Sequence, residues 1–159
     1  MAIFASGSGT NAENIINYFN ENQKFKVVLL CSNHADAIVV ERAKRNAIPV
    51  LTFTSNELKN SSKVLESLKL FNVSIVILAG FLLKIPDSLI QMFPNAIINL
   101  HPALLPKYGG KGMFGINVHR AVIENDEVES GITIHFVNEN YDEGEIIFQA
   151  TCIVDSDDN

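Results

Sequence analysis

Asn99 and His101 stand two residues apart in Asn99-Leu100-His101-Pro102, and in a strand residues so spaced point to the same side. An amide donor and an imidazole would then face one ligand together. No serine or cysteine sits beside them in a nucleophile's position, so the pair suits stabilising a developing oxyanion and moving a proton. Asp142, in Tyr141-Asp142-Glu143-Gly144, is a carboxylate that could orient such an imidazole and favour its charged form. Plainer readings stand beside these. Asn99 could cap a strand, His101 could be a satisfied loop histidine, and acidic residues in glycine-containing turns are commonly solvated turn formers. Glu139 and Glu143 take that plainer reading ahead of Asp142.

A second candidate is Ser6-Gly7-Ser8-Gly9-Thr10-Asn11-Ala12. Glycines let the backbone turn tightly, and a helix that follows presents free N–H groups and a positive dipole end. Together these can cradle a phosphate without any lysine. The alternative is an ordinary strand-to-helix turn. The segment also matches the dinucleotide fingerprint G-x-G-x-x-A, which calls for an acidic residue at the end of the next strand. That strand ends Leu30-Cys31-Ser32-Asn33, so a monophosphate fits better. No Gly-Lys-Ser/Thr follows, which excludes a P-loop. The third candidate segment is Ala79–Ile85, and His119 and His135 rank lower, in a helical stretch and an alternating strand. Four histidines without an i, i+4 pair argue against a metal centre. Lys107 and Lys111 read as solvated lysines.

These segments need elements to position them. Strands are predicted over Met1–Ala5, Phe25–Cys31, Val50–Phe53, Val73–Leu78, Ala96–Leu100, Gly131–Val137 and Ile146–Val154. Helices are predicted over Asn11–Phe19, Ala35–Asn46, Glu57–Leu70, Asp87–Phe93 and Ile116–Glu124. Strand–helix alternation implies a parallel sheet with right-handed crossovers, and the short turn Asn138–Glu145 implies an antiparallel last pair. The expected class is α/β: a Rossmann-like open twisted sheet, mostly parallel with helices on both faces, and antiparallel strands at the C-terminal end. Ligands bind such sheets beyond the carboxyl ends of the strands, where all three candidate segments fall. His101–Gly115, with two prolines and four glycines, reads as a long functional loop.

The chain has 159 residues, 47% hydrophobic and 19% charged, with a net charge of −6. That supports one real core and argues against a nucleic-acid binder, which needs a basic face. Cys31 and Cys152 fit neither a disulfide framework nor a metal spacing and read as buried thiols. No stretch is long enough to span a membrane and no secretory leader is seen, so a cytoplasmic protein is expected. Residues 1–159 read as a single domain whose tail, 155–159, stops without a helix to cover the last strand. A homodimer is left open.

Taken together, the segments resemble the folate-dependent formyltransferase family across essentially the whole chain. The resemblance rests on Phe4-Ala5-Ser6-Gly7-Ser8-Gly9-Thr10-Asn11, Leu78-Ala79-Gly80-Phe81, Asn99-Leu100-His101-Pro102 with Leu104-Leu105-Pro106, and Tyr141-Asp142-Glu143-Gly144. The Gly-Ser-Gly-Thr-Asn turn is similar to the branch that formylates glycinamide ribonucleotide in purine synthesis. The resemblance implies transfer of a formyl group from 10-formyltetrahydrofolate to the amine of that ribonucleotide, without metal, nucleic acid or membrane. It implies that Gly9, Thr10 and Asn11 hold the phosphate, and that Gly80 and Pro102 line the substrate path. Leu82, Leu83, Lys84 and Ile85, with Asn99 and the turn residues Asn138, Glu139, Asn140 and Tyr141, are implied to contact folate. Asn99, His101 and Asp142 match the family's catalytic trio, with Asp142 keeping His101 charged.

Two departures stand out. Leu83 takes a position where many relatives carry a basic residue, with Lys84 next to it, and the loop Tyr108–Asn117 is glycine-rich. The rivals are a transfer-RNA formyltransferase, a formyltetrahydrofolate hydrolase, a non-catalytic nucleotide-binding module and a nicotinamide-dependent oxidoreductase. The first would need a basic domain, and the second an N-terminal regulatory domain.

Overall fold

Short apolar runs alternating with amphipathic stretches build parallel strands first and antiparallel ones later, as the sequence pattern implies. The computed structural model describes residues 1–22, 24–155 and 158. The chain divides into two compact units, Met1–Ile97 and Ile98–Asn159.

The first unit runs β1 (Ala2–Phe4), α1 (Thr10–Glu21), β2 (Leu29–Ser32), α2 (Ile38–Arg45), β3 (Val50–Thr52), α3 (Ser55–Asn60), α4 (Ser62–Leu70), β4 (Val76–Ala79) and α5 (Asp87–Met92). Its strands lie side by side as β3-β2-β1-β4. All three pairings are parallel, with Ala2 opposite both Leu29 and Val76, and Leu30 opposite Val50. β1 sits in the middle, and Ala2, Ile3 and Phe4 are wholly buried, as a strand covered on both faces requires. Ile16 of α1 and Val39 of α2 pack into the same core as Ile3 and Leu30.

β4 starts at Val76 rather than Val73 and α2 at Ile38 rather than Ala35, and two further departures have a visible cause. Regular strand pairing in β2 starts at Leu29 rather than Phe25. Phe25 is half exposed and meets the ring of Phe19 edge-on at 5.7 Å, so it closes the end of α1 instead. The single helix expected over Glu57–Leu70 is two helices, broken at Ser61, whose φ is 53°. Ser61 is buried and its hydroxyl hydrogen-bonds Ser88 at 2.6 Å. α3 opens with a capping box: Thr54 Oγ1 accepts the Glu57 N–H, and Glu57 accepts the Thr54 N–H.

β5 (Ile97–His101) leads into the second unit, followed by α6 (Ile116–Glu124), β6 (Glu129–Phe136) and β7 (Ile146–Ile153). β5 pairs antiparallel with β6, and β6 with β7. Residues 102–115 form no helix or strand, as expected for the long loop. Cys31 is buried in β2, but Cys152 on β7 is exposed, which corrects the expectation of two buried thiols. Its strand is exposed along nearly all its length. The expectation for the tail falls partly on residues 156, 157 and 159, outside the described residues.

Candidate active site

In the first unit, Ser6 ties the turn after β1 to its neighbours. Its N–H donates to the Gly80 carbonyl at 3.0 Å, its hydroxyl donates to Asn33 Oδ1 at 2.6 Å, and the same oxygen accepts the Leu82 N–H at 3.0 Å. Gly9 caps α1 with φ 73°, a left-handed conformation that disfavours other residues. A Cβ there would overlap the Val39 side chain. No side chain caps α1, so the N–H groups of Thr10, Asn11 and Ala12, which a helix leaves without intrahelical partners, face outward at its positive end. Thr10 and Asn11 are exposed. Arg42, which sequence reading passed over, donates to the Ser8 carbonyl at 2.9 Å and forms an ion pair with Glu13. That pairing neutralises the one acidic side chain in the first turn of α1, where it would otherwise repel a phosphate.

Gly80, at φ 70°, follows β4, and Phe81 packs edge-on against Phe4 at 5.3 Å. From this anchor Leu82 and Lys84 are exposed, Leu83 is half-buried and Ile85 is buried. Pro102 lies in the second unit, in a largely apolar groove of about 450 Å³ shared with His119, Ile132 and Cys152. Asn99, His101 and Asp142 do not line that groove.

The chemistry gathers in the second unit. Antiparallel pairing sets Asn99 opposite His135 and His101 opposite Thr133. The turn between β6 and β7 then folds Asp142 onto them, at φ 55°. Gly144 permits this, because a Cβ there would overlap the Phe136 carbonyl. Asp142 Oδ2 accepts the Gly110 N–H at 2.9 Å, and Oδ1 accepts from Asn99 Nδ2 at 3.3 Å. The same Oδ1 lies 3.6 Å from His101 Nδ1 and 3.5 Å from His135 Nε2. Burial pushes the Asp142 carboxyl up, but the hydrogen bonds from His135 and Gly110 and the nearby imidazoles outweigh it, and the group sits below the ordinary aspartate range.

His101 is 3% exposed, and its Nε2 lies 2.8 Å from the Tyr108 carbonyl. A carbonyl only accepts, so Nε2 carries a proton. That leaves Nδ1 facing the carboxylate, where a second proton satisfies both neighbours. The loop after His101 is pinned by Thr133, whose hydroxyl donates to Ala103 O at 2.6 Å and accepts the Leu105 N–H at 3.0 Å.

His135, which sequence reading ranked low, belongs to this cluster. It is 2% exposed, its Nδ1 donates to Phe136 O at 2.7 Å, and its Nε2 lies 3.0 Å from Asn99 Nδ2 and 3.5 Å from Asp142 Oδ1. The available signal was its alternation with Thr133 along β6, which points both residues to one face, but only strand register places that face against Asn99 and His101. Of the turn residues, Asn138 Oδ1 accepts the Asn140 N–H at 2.9 Å, and Asn140 donates to Glu143 at 2.8 Å. Glu139 is exposed and Tyr141 is 40% exposed. Among the described residues, no group of three His, Cys, Asp or Glu side chains could hold a metal ion, and no helix is long and apolar enough to cross a membrane.

The sequence pattern of the family described as Formyl transferase matches residues 1–159. A chloroplastic phosphoribosylglycinamide formyltransferase of Arabidopsis thaliana is 43% identical, over 99% of this chain and 56% of that protein. The Bacillus subtilis phosphoribosylglycinamide formyltransferase is 36% identical, over 99% of this chain and 80% of that protein. The crystal structure of phosphoribosylglycinamide formyltransferase from Bacillus halodurans superposes with a TM-score of 0.89 at 35% identity, covering 99% of this chain and 81% of that one. The chain spans about half the length of its plant relatives, 56% of the Arabidopsis protein and 49% of the one from Vigna unguiculata.

Proposed function

This chain belongs to the formyl transferase family, and on that premise we propose that it transfers a formyl group from 10-formyltetrahydrofolate to the amine of glycinamide ribonucleotide in purine synthesis. What carries the reading is the convergence of Asn99 and His101 on one oxygen, Asp142 Oδ1, at 3.3 and 3.6 Å. Asp142 is anchored through its other oxygen by Gly110, so Oδ1 marks a point that two donors already face. Both contacts are long, and long contacts of this kind re-aim when substrate arrives.

In the proposed step the ribonucleotide amine attacks the formyl carbon, and negative charge grows on the formyl oxygen. Asn99 Nδ2–H and His101 Nδ1–H turn to that oxygen, while the Asp142 carboxylate stabilises the imidazolium. The amine proton passes to the leaving folate nitrogen, relayed by Asp142 Oδ1 through water, as the bond from the formyl carbon to that nitrogen breaks. The first unit supplies binding: Gly9, Thr10 and Asn11 receive the phosphate at the N-terminus of α1. Gly80 and Pro102 line the substrate path. Leu82, Leu83, Lys84, Ile85, Asn99 and residues 138–141 contact folate in this reading. No lysine is needed for the phosphate, which accords with the absence of a basic cluster.

The test follows absorbance as 10-formyltetrahydrofolate is consumed, with and without glycinamide ribonucleotide. Consumption that requires the ribonucleotide and collapses in His101→Ala supports the transferase. Consumption without acceptor indicates a hydrolase, and none at all by folded protein sinks the proposal. The reading places the protein in the cytoplasm, and because the two plant relatives are named as chloroplastic, cell fractionation is the check.

A further inference from the structure

Glu127 lies between α6 and β6, apart from the cluster of Asn99, His101, His135 and Asp142. It accepts Lys107 Nζ through both carboxylate oxygens, at 2.8 and 3.0 Å, and the Tyr108 hydroxyl at 2.9 Å. Those two residues open the turn that follows the Leu105-Pro106 segment. Tyr108 has φ 56°, a region that a bulky side chain occupies only when its surroundings hold it there. The conformation matters because this turn handles the chemistry with its backbone. The Tyr108 carbonyl accepts His101 Nε2–H at 2.8 Å, and two residues later the Gly110 N–H donates to Asp142 Oδ2 at 2.9 Å. One short turn therefore fixes both members of the His101–Asp142 pair, and its side-chain anchor is Glu127.

We propose that Glu127 is a positioning residue: by holding Lys107 and Tyr108 it keeps the 108–110 backbone where His101 and Asp142 are aligned for the transfer. The inference rests on the function proposed above. Between its two ligands, Lys107 matters less. Its side chain is 65% exposed, and an ion pair so open to water contributes little. The Tyr108 hydroxyl carries the anchoring, and a neutral acceptor at 127 can hold it.

The experiment compares Glu127→Ala, Glu127→Gln and Tyr108→Phe with the wild type. Steady-state kinetics give kcat and KM for glycinamide ribonucleotide, and NMR of histidine-labelled protein follows the His101 Nε2–H held by Tyr108. Glu127→Ala and Tyr108→Phe are expected to lower kcat about tenfold, the scale of one lost hydrogen bond, with KM within about twofold. Both should broaden or shift the His101 resonance, while Glu127→Gln restores kcat and resonance. Tyr108→Phe keeps the ring, so it serves if Glu127→Ala fails to fold. Wild-type kcat in Tyr108→Phe overturns the proposal, as does a fall in kcat with the His101 resonance unmoved, or a Glu127→Gln as impaired as Glu127→Ala. A wild type inactive toward glycinamide ribonucleotide defeats the proposed function instead, and the resonance still reports whether Glu127 positions His101.

Discussion

Asp142→Asn removes one negative charge and almost no volume, which makes it the sharpest test of the proposed chemistry. The carboxylate oxygen lies 3.6 Å from His101 Nδ1. At that distance the attraction for an imidazolium is ~4.6 kcal/mol at an effective permittivity of about 20, and ~1.2 kcal/mol at water's value of about 80. The Asp142 side chain is only 12% exposed, which favours the upper part of this range. Hydrogen bonding worsens too. Gly110 N–H and Asn99 Nδ2–H both donate to the carboxylate, and an amide offers one oxygen for the two, leaving one donor facing an NH₂ group. With about 1.4 kcal/mol per tenfold in rate, kcat is expected to fall about 10²–10³-fold. KM for glycinamide ribonucleotide should move little, because its phosphate is assigned to residues 9–11. The assay is initial-rate consumption of 10-formyltetrahydrofolate at saturating ribonucleotide, with thermal melts run in parallel. A kcat within about threefold of wild type, at an unchanged melting temperature, would refute the argument that Asp142 electrostatics drive the step.

The same carboxyl makes a stability prediction. Its folded pKa is lowered, so its contribution is present above the unfolded value of about 3.9 and is lost as pH falls through the folded one. Urea titrations should show the wild-type advantage over Asp142→Asn holding from neutrality down to about pH 5 and shrinking below about pH 4. Gly9→Ala forces a left-handed φ and overlap with Val39; it should cost about 2 kcal/mol or more in stability and raise KM for glycinamide ribonucleotide. Thr54→Ala removes the α3 cap and should cost about 1 kcal/mol by denaturant titration while leaving kcat unchanged. Of the two thiols, only Cys152 should react with a thiol reagent in the native protein, since burial pushes the Cys31 thiol up and hides it.

The sequence by itself determined the order of strands and helices, apart from the break at Ser61, and what chemistry they could host. The nearly unbroken apolar run at Val73–Leu78 marked the strand that forms at Val76–Ala79, and Ser6–Asn11 marked a glycine turn into a helix, because burial and turn geometry act over a few neighbouring residues. Asn99 and His101 were legible for the same reason: a spacing of two fixes a shared face whenever the segment is a strand. What lay beyond local pattern was pairing. That Asn99 faces His135, that Asp142 folds back onto Asn99, and that Arg42 neutralises Glu13 all depend on contacts between residues 29 to 43 positions apart. The break at Ser61 was hidden likewise, because a left-handed serine inside a helical pattern is held by Ser88, a partner on another helix. Side-chain types set the available reactions, but strand register and turn conformation decided which of those side chains share one carboxylate oxygen, since those contacts form only once distant backbone segments are fixed together.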